Sequence, residues 1–273
     1  MDARLQLRVQ RYGWDKAADH YERYWSQQLE PAQRRLLELA TLGPGERVLD
    51  VACGTGLVTF PAATAVGANG CVLATDISDA MVTRLRDAAA RHGVANVLAE
   101  RRDAQELNCG EAAFDVVLCA LGLMYVPDPL AALREMRRVV HAGGRVVVAV
   151  WGARASCGWA EIFPIVDARV RSEVCPMFFQ LGTSDALRLT LEAAGFQDIV
   201  AERIPTTLHY TSAADACGAA FAGGPVALAY SRFDTAMRVE AEADYLASIE
   251  AYRTGETYDV PGEFVVARGI NAA

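Results

Sequence analysis

The sequence predicts a doubly wound α/β fold with a mostly parallel, seven-stranded sheet and a helical cap. Two observations lead to this prediction. From residue 47 onward, short apolar runs alternate with helical segments, which is the pattern of a parallel sheet covered by helices on both faces. The 273-residue chain is also 52% hydrophobic and 22% charged, and that composition supports a substantial apolar core.

The strands of this sheet are predicted from short, strongly apolar runs. They are Val48–Ala52, Cys71–Thr75, Asn96–Glu100, Phe114–Cys119, Arg145–Val150, Asp198–Arg203 and Glu263–Ala267. Helices are predicted between and after the first five strands, at Leu57–Ala65, Asp79–Arg91, Leu130–His141, Ala160–Arg171 and Ala186–Ala194. Alternating β and α elements of this kind form a right-handed parallel sheet.

Local signals predict where several helices begin and end. Ser78 and Ser184 are expected to cap the helices that follow them. Gly143–Gly144 and Gly195 are expected to stop the helices that precede them. Pro31 is expected to begin a second N-terminal helix, since proline is favoured in the first turn.

The chain divides into four predicted segments. Residues 1–45 form an N-terminal helical cap, and residues 46–205 form the α/β core. Residues 206–257 form a helical insert of the cap, and residues 258–273 supply the final strand of the core sheet. No internal repeat interrupts this order.

Bulk composition excludes several classes of protein. The formal charge of −8 and the pI of about 5.1 argue against nucleic acid as the main partner, which would require a basic surface. The longest apolar candidate, Val116–Val126, is too short for a membrane span, and the N-terminus lacks the apolar region of a secretory signal. We therefore expect no membrane span and a cytoplasmic location.

The seven cysteines are scattered and form no CxxC pair, so reduced thiols and no metal site are expected. Cys53 lies inside a glycine turn but has no basic neighbour in the sequence. We interpret it as a packing residue rather than a nucleophile.

The segment DVACGTG, residues 50–56, carries the main functional signal. It follows a predicted strand and precedes a helix, and its glycines allow the backbone to approach a ligand closely. Asp50, Asp76 and Asp103 stand at or just after three successive strand ends. The carboxyl ends of parallel strands meet at one edge, so these acids should surround one ligand.

That acidic edge favours a cationic ligand over a dinucleotide. A dinucleotide site usually has a third glycine, but Thr59 stands at that position. Asp50 would repel a pyrophosphate by roughly 1 to 4 kcal/mol at about 4 Å. S-adenosylmethionine (SAM) has an ammonium, a sulfonium and a ribose but no phosphate, and it suits this edge better.

The motifs DVACGTG, TDIS, RRDA and FDVVLCALGLMYVPDP together resemble the class I SAM-dependent methyltransferases. The branch they resemble is the one related to the ubiquinone and menaquinone C-methyltransferases (methyltransferase type 11). The resemblance covers roughly Trp14 to Val150, and a weaker similarity extends to Leu187–Gly195 and the last strand. It implies a Rossmann-like fold, SAM as cofactor and methyl transfer to a small molecule.

The resemblance also implies roles for individual residues. Backbone groups of the glycine turn would hold the methionine part of SAM, and the first acid would hold its amino group. The later acids would bind the ribose and the adenine, and a tyrosine of the N-terminal segment would reach over the cofactor. The cofactor-binding residues implied in this way are Tyr21, Asp50, Ala52, Gly54, Thr55, Gly56, Asp76, Ile77, Asp103, Ala104, Cys119 and Ala120.

The acceptor and the catalytic residues stay open at this point. Aromatic residues in the second half of the chain favour an apolar or aromatic acceptor, but C-, O- and N-methylation are not separated. His209 is the histidine considered for contact with the substrate, although a surface position is its default interpretation. The oligomeric state is also open, with a homodimer among the options.

Three alternatives are weighed against methyl transfer. A nicotinamide-dependent oxidoreductase would share the sheet, but Tyr12 and Lys16 have the spacing of its proton-relay pair in the wrong part of the chain. A non-catalytic subunit with the SAM-binding fold would not need the glycines and acids. Aminopropyl transfer would need further acids after Val126, and the sequence has no such cluster.

Overall fold

In the computed structural model, which describes residues 3–170 and 177–272, one sheet forms the centre of the fold. Its strands are β1 (Arg47–Val51), β2 (Cys71–Asp76), β3 (Val97–Arg101), β4 (Phe114–Ala120), β5 (Val140–Trp151), β6 (Gln197–Tyr210), β7 (Arg253–Thr254) and β8 (Thr257–Ile270). Seven strands follow the order β3-β2-β1-β4-β5-β8-β6, and β7 pairs with β8. The predicted seven-stranded, doubly wound sheet is confirmed, and the two-residue β7 is an addition to it.

The order in which strands are added to the sheet reverses at β1, in the centre of the sheet. Strands β1 to β5 are parallel, whereas β8 lies antiparallel between β5 and β6. From β1 the chain moves outward through β2 to β3 and then returns to β4 on the other side of β1. Such a switch point leaves a crevice at the carboxyl ends of the strands, where α/β sheets bind ligands.

Helices cover the sheet and extend beyond it. They are α1 (Ala3–Ala40), α2 (Thr59–Val66), α3 (Asp79–His92), α4 (Pro129–Val139), α5 (Ile162–Asp167), α6 (Ala186–Ala193), α7 (Ala213–Cys217), α8 (Ala227–Tyr230) and α9 (Thr235–Ser248). Ser78 caps α3 as predicted, because its hydroxyl accepts the N–H of Met81. No helix within the described residues is long and apolar enough to cross a membrane.

The N-terminal segment is one helix, so the prediction of a second helix beginning at Pro31 is wrong. A proline inside a helix removes a backbone hydrogen bond and costs about 3 kcal/mol. The helix continues because its buried face continues, with Trp25 and Leu29 before the proline and Leu36 after it packed in the same core. Tertiary packing therefore outweighs the local preference of proline.

The end of α4 also differs from the prediction. Phe114 of β4 pairs with Val140, so the chain joins the sheet there, before Gly143–Gly144. His141 consequently lies on β5 rather than in the last turn of the helix. Its Nε2 is 3.0 Å from Oδ1 of Asp115.

The α6 region is partly as predicted. Gly195 ends the helix with a φ of 94°. Ser184 is not the cap, because Asp185 occupies the N-cap position and makes no side-chain capping bond. The predicted helix Ala160–Arg171 corresponds in part to α5, and its last residue lies outside the described residues.

The last strands are longer than predicted. Strand β6 continues to Tyr210, where it pairs with Tyr258 of β8. The boundary placed between residues 205 and 206 therefore falls inside β6, and the helical part of the insert begins at α7. The segments 1–45 and 258–273 each include residues outside the described part of the chain.

Candidate functional site

The segment after β1 is a tight turn that uses left-handed backbone conformations. Ala52, Gly54 and Gly56 have φ values of 57°, 55° and 103°. A Cβ at Gly56 would lie 2.7 Å from the ring of Phe60, so only glycine fits that position. A Cβ at Gly54 would lie 3.6 Å from the ring of Tyr21. The turn therefore passes directly under this tyrosine.

Asp76, at the end of β2, is tied to the turn through its carboxylate. Its Oδ2 accepts the N–H of Gly54 and its Oδ1 accepts the N–H of Ser78, both at 2.9 Å. Burial raises the pKa of Asp76 to about 6, although these hydrogen bonds act in the opposite direction. Carboxylate oxygens have further lone pairs, so this oriented group can accept additional hydrogen bonds from a ligand.

Asp50 lies beneath the same turn and is almost completely buried. Its Oδ2 accepts a hydrogen bond of 2.6 Å from the hydroxyl of Thr59. Its Oδ1 and the hydroxyl of Thr55 are buried without a partner among the described residues. Burial, reinforced by the charge of Asp76, raises the pKa of Asp50 to about 7, and the bond from Thr59 partly offsets this. The turn thus covers polar atoms that still lack a partner.

A cavity that is open to solvent lies at this edge of the sheet, and we call it the edge cavity. Many of the residues predicted to bind a cofactor line it. They are Tyr21, Ala52, Gly54, Asp76, Ile77, Asp103, Ala104 and Ala120. The structure therefore brings together residues from α1 and from the ends of four parallel strands.

The other predicted residues stand behind the wall of the edge cavity. They are Asp50, Thr55, Gly56 and Cys119, all buried. Burial raises the pKa of the Cys119 thiol to about 12, so this group stays protonated. Any contact of these residues with a ligand has to pass through their backbone or through a bridging group.

The third acid of the edge has its own local support. Asp103 follows the end of β3, and its Oδ1 accepts the N–H of Gln105 at 2.9 Å. This bond fixes the carboxylate beside Ala104 at one end of the edge cavity. Its second oxygen can accept a hydrogen bond from a ligand.

Several lining residues of the edge cavity were not predicted from the sequence. They are Leu7, Gln10, Trp14, Val51, Met81, Arg102, Leu121, Gly122, Tyr125 and Val126. Leu121 and Gly122 directly follow β4, so the strand-end rule that selected the acids would also have found them. Leu7 and Gln10 gave no such signal, because they depend on how α1 packs over the sheet.

The ends of β1 and β4 approach each other closely at the edge cavity. Ala52 and Leu121 both have left-handed backbone conformations, with φ values of 57° and 61°. A Cβ at Gly122 would overlap with the Cβ of Ala52. This contact requires glycine at position 122 and holds the two strand ends in place around the cavity.

Helix α1 covers the edge cavity and is attached to α3. Oδ1 of Asp15 accepts hydrogen bonds from the hydroxyl of Ser78 (2.6 Å) and the N–H of Ala80 (3.2 Å). Two ion pairs, Arg11–Asp79 and Asp19–Arg84, flank this contact. The attachment fixes the helix across the opening of the edge cavity.

A second, smaller cavity adjoins the first, and we call it the aromatic pocket. Its lining consists of aromatic and apolar side chains and of the short segment Gly224–Pro225. The lining residues are Trp14, Tyr21, Trp25, Leu29, Leu121, Met124, Tyr125, Trp151, Trp159, Gly224 and Pro225. All four tryptophans of the chain are among them.

The histidines are not part of either cavity wall as the structure describes them. His209 lies exposed on β6, with Nδ1 2.7 Å from Oδ1 of Asp259 and its N–H bonded to Gln28. The surface interpretation of His209 fits this position. His92 is the last residue of α3, as predicted.

The described cysteines are all free, while Cys175 lies outside the described residues. Burial raises the pKa of the Cys53 thiol well above its usual range, which fits its interpretation as a packing residue. Within the described residues no group of histidine, cysteine and acidic side chains is placed to hold a metal ion.

The strand order and the glycine turn define the fold of the class I methyltransferases. An N-methyltransferase from Haemonchus contortus, whose structure contains S-adenosylhomocysteine, superposes with a TM-score of 0.62 at 15% identity. The superposition covers 95% of this chain and 58% of that one. At this level of identity the likeness shows the fold.

Sequence comparison identifies the domain more closely. Residues 42–162 match the family model described as a methyltransferase domain. This match confirms, for that part of the chain, the resemblance to methyltransferases predicted from the sequence.

Two curated relatives match slightly less than half of this chain. Aklanonic acid methyltransferase DauC from Streptomyces sp. (strain C5) is 33% identical over 133 residues, which cover 49% of this chain and 60% of the relative. The ubiquinone/menaquinone biosynthesis C-methyltransferase UbiE from Ectopseudomonas mendocina is 44% identical over 117 residues, covering 42% and 46%. The chain thus spans roughly half the length of the curated relatives that it matches.

Proposed function

We propose that this protein transfers a methyl group from SAM to a small-molecule acceptor. The observation that carries the proposal is the edge cavity, which a glycine turn and oriented acids line and behind whose wall buried oxygens lack partners among the described residues. These groups suit a ligand that combines an ammonium, a sulfonium and a ribose. They do not suit a ligand with a pyrophosphate.

The amino-acid end of SAM fits the region of the glycine turn. Oδ1 of Asp50 and the hydroxyl of Thr55 are buried without partners among the described residues, and a buried polar group without a partner is costly. An ammonium above the turn, acting through a bridging water, would complete them. We assign Gly54, Thr55 and Gly56 to the methionine part and Asp50 to its amino group.

The nucleoside end of SAM fits the remaining acids. Asp76 is oriented by two N–H groups and is assigned to the ribose hydroxyls. Ile77 lines the cavity beside it and is assigned to the adenine face, with Asp103 and Ala104 at the adenine amino group. All the residues assigned to the nucleoside line the same cavity, the edge cavity.

The centre of the cofactor would lie between β4 and α1. Ala52 and Ala120 line the edge cavity, and the carbonyls of Cys119 and Ala120 are assigned to the positively charged groups. Tyr21 reaches over the turn from α1. Burial first, and then the charges of Asp76 and Asp50, raise the pKa of Tyr21, so its hydroxyl stays protonated and is a hydrogen-bond donor.

SAM supplies an electrophilic methyl group that is displaced in line by the acceptor. The main task of the chain is therefore to place the acceptor on that axis and to exclude water. Leu7, Gln10 and Trp14 of α1 cover the edge cavity, and Asp15 holds this helix on α3. The covering helix orients the ligands and keeps solvent from the reacting atoms.

The acceptor is proposed to be apolar or aromatic. The aromatic pocket adjoins the edge cavity and provides a surface of this character. The names of the relatives include a C-methyltransferase and an aklanonic acid methyltransferase, which supports a small organic acceptor. The net charge of −8 supports a small molecule rather than nucleic acid.

A nicotinamide-dependent reaction has less support at this site. Thr59 replaces the third glycine of a dinucleotide motif and is bonded to the carboxylate of Asp50. The buried carboxylate of Asp50 lies where a pyrophosphate would approach. Two negative charges would then be buried side by side without a cation, which makes binding of the pyrophosphate unfavourable. We therefore keep SAM as the proposed cofactor.

The proposed location of this activity is the cytoplasm. The six described cysteines are free, and Cys71 among them is exposed. Free thiols fit a reducing compartment, in which disulfides are rare. Cell fractionation with an antibody against the protein would test the location, and recovery in the membrane or the secreted fraction would contradict it.

The activity itself is tested with labelled SAM and a panel of phenols, enols, carboxylic acids and amines. We expect S-adenosylhomocysteine to form together with one labelled product. The Asp76→Ala variant, which keeps the aromatic pocket, should lose most of the turnover. Failure of every acceptor in the panel, with SAM bound, would favour a non-catalytic subunit.

A further inference from the structure

A short loop follows β3 at one end of the edge cavity, and we call residues 102–107 the β3 loop. Asp103 and Ala104 of this loop line the cavity. The N–H of Glu106 donates to the carbonyl of Asp103 at 3.0 Å, and the Asp103 carboxylate accepts the N–H of Gln105 at 2.9 Å. The direction of that carboxylate therefore depends on the shape of the β3 loop.

The side chain of Arg102 closes the β3 loop. Its Nε and Nη2 both donate to Oε2 of Glu100, at 2.9 Å and 2.5 Å. On the opposite edge of the guanidinium, Nη1 donates to the carbonyl of Leu107 and lies 3.1 Å from Sγ of Cys109. The backbone N–H of Arg102 donates to the carbonyl of Asp76 at 2.9 Å. One side chain thus joins β3 to the far end of the loop.

The far end of the β3 loop has a separate attachment to α4. Leu107 is completely buried, and its N–H donates to Oε2 of Glu135 at 3.2 Å. Arg138, which is paired with Glu135, donates to the carbonyl of Cys109 at 2.9 Å. None of these contacts uses Arg102. Removal of its guanidinium should therefore leave the far end in place and loosen the loop between the two ends.

Arg102 also lines the edge cavity, but its guanidinium is engaged with the protein. All three of its nitrogens donate to protein atoms, and its charge is paired with Glu100. The rigid, planar fork of an arginine suits this task, because it offers donors on two edges in fixed directions. The contacts indicate a group that fixes the β3 loop rather than one that binds a ligand.

We propose that Arg102 is a positioning residue that makes the cofactor site selective for adenine, an inference that rests on the proposed function. It closes the β3 loop and thereby holds the carboxylate of Asp103 where the 6-amino group of adenine can donate to it. Hypoxanthine has an oxygen in that position, so the fixed carboxylate would face a second acceptor, and such an unpaired contact is costly. A loosened carboxylate can turn away, and hypoxanthine would then be rejected less strongly.

The first test is calorimetric titration with S-adenosylhomocysteine and S-inosylhomocysteine, in which hypoxanthine replaces adenine. We expect the wild-type protein to prefer the adenine compound on the order of a hundredfold, the scale of a hydrogen bond to a charged group. In Arg102→Ala this preference should fall to about tenfold. An undiminished preference in this variant would overturn the proposal.

Arg86→Ala is the matched control. Nε and Nη2 of Arg86 both donate to the carbonyl of Ala99 in β3, at 2.9 Å and 2.6 Å. The variant therefore removes a comparable pair of guanidinium contacts outside the β3 loop. It should keep the wild-type preference for adenine. An equal fall in both variants would show that the selectivity does not depend on the closed loop.

Arg102→Lys separates the spanning contact from the charge. A lysine ammonium keeps the charge and most of the stem, but it cannot reach Glu100 and Leu107 on opposite edges of a guanidinium. The preference for adenine should therefore fall as it does in Arg102→Ala. This variant fills the same space, so it decides the question if Arg102→Ala does not fold. Full wild-type preference in Arg102→Lys would contradict the role of the fork.

A double-mutant cycle tests whether Arg102 acts through Asp103. Asp103→Ala should itself lose the preference for adenine, and adding Arg102→Ala should then change the preference no further. A merely structural role, or direct contact of Arg102 with a part common to both compounds, would weaken their binding equally. That result in Arg102→Ala would overturn the proposal.

The outcomes separate this inference from the proposed function. Failure of the wild-type protein to bind S-adenosylhomocysteine would refute the proposed cofactor. Equal binding of both compounds by the wild-type protein would refute the adenine assignment of Asp103 and this inference with it. A wild-type preference that persists in Arg102→Ala and Arg102→Lys would refute this inference alone.

Discussion

The carboxylate of Asp76 accepts a hydrogen bond of 2.9 Å from the N–H of Gly54, although 22 positions separate the two residues in the chain. The bond joins the end of β2 to the glycine turn after β1. It means that Asp76 has two tasks, since it holds the turn and also faces the edge cavity. The ribose assignment therefore predicts a loss of binding when the carboxylate is removed.

The first prediction concerns Asp76. Asp76→Ala should weaken SAM binding by about 1.5–3 kcal/mol, the scale of lost hydrogen bonds to a charged group. Calorimetric titration with SAM measures this difference. Asp87→Ala, an exposed acid on α3, is the control and should leave the dissociation constant unchanged. An unchanged constant for Asp76→Ala would refute the ribose assignment.

The second prediction concerns Asp50 and pH. Its pKa is raised from 3.8 to about 7 in the folded protein, so the folded state binds more protons than the unfolded state between these values. The free energy of unfolding of the ligand-free protein should therefore fall as the pH rises through this window. Urea unfolding at about pH 4 and about pH 8 measures the change.

Asp50→Asn is the variant that tests this pH dependence. It cannot ionise, so the fall in stability between the two pH values should become smaller. Asp76 has a pKa raised to about 6 by burial and acts in the same direction, so part of the dependence should remain. An equally steep fall in the variant would show that Asp50 is not the group responsible.

The third prediction concerns the contact between β1 and β4. Gly122 has an ordinary φ of −104°, so alanine is excluded there by the Cβ of Ala52 and not by its backbone conformation. Gly122→Ala should destabilise the protein by about 1–3 kcal/mol through overpacking and should weaken SAM binding. Urea unfolding and calorimetry measure the two effects.

A second substitution should rescue that variant. Ala52→Gly removes the obstructing Cβ and relieves a left-handed φ of 57°, a conformation that costs an alanine about 1–2 kcal/mol. The double variant should regain most of the lost stability and binding. A double variant no more stable than Gly122→Ala would mean that another contact, such as the one with Cys119, causes the loss.

The fourth prediction concerns the attachment of α1. Asp15→Ala removes the acceptor that binds Ser78 and Ala80, so the helix should open more often over the edge cavity. We expect S-adenosylhomocysteine to dissociate several-fold faster, which corresponds to about 1 kcal/mol for such bonds. Stopped-flow displacement measures the rate. Asp19→Ala, which removes only an exposed ion pair with Arg84, should have a smaller effect.

The sequence predicted the parts of the fold that local patterns determine. Several of the first five strands are nearly uniformly apolar because helices cover both faces of the sheet, and the alternation of β and α segments predicted that they are parallel. The glycine turn and the acids of this edge were recognised for the same reason, since they lie at or just after the ends of β1, β2 and β3. These features are encoded within short stretches of the chain.

The parts that were missed depend on contacts between distant segments. Helix α1 passes through Pro31 because its buried face stays packed, and no local signal reports that packing. The position of Asp50 under the turn reflects its bond to Thr59 on the next helix. The aromatic pocket unites tryptophans from α1 with Trp151 and Trp159, and periodicity does not relate such positions.

The most direct measurement is calorimetric titration of the purified protein with SAM, S-adenosylhomocysteine, NAD and NADP. Our account predicts that the first two bind to a single site and that the nicotinamide cofactors do not bind. Binding of NAD or NADP in place of SAM would contradict the assignment of the acidic edge and with it the proposed methyl transfer.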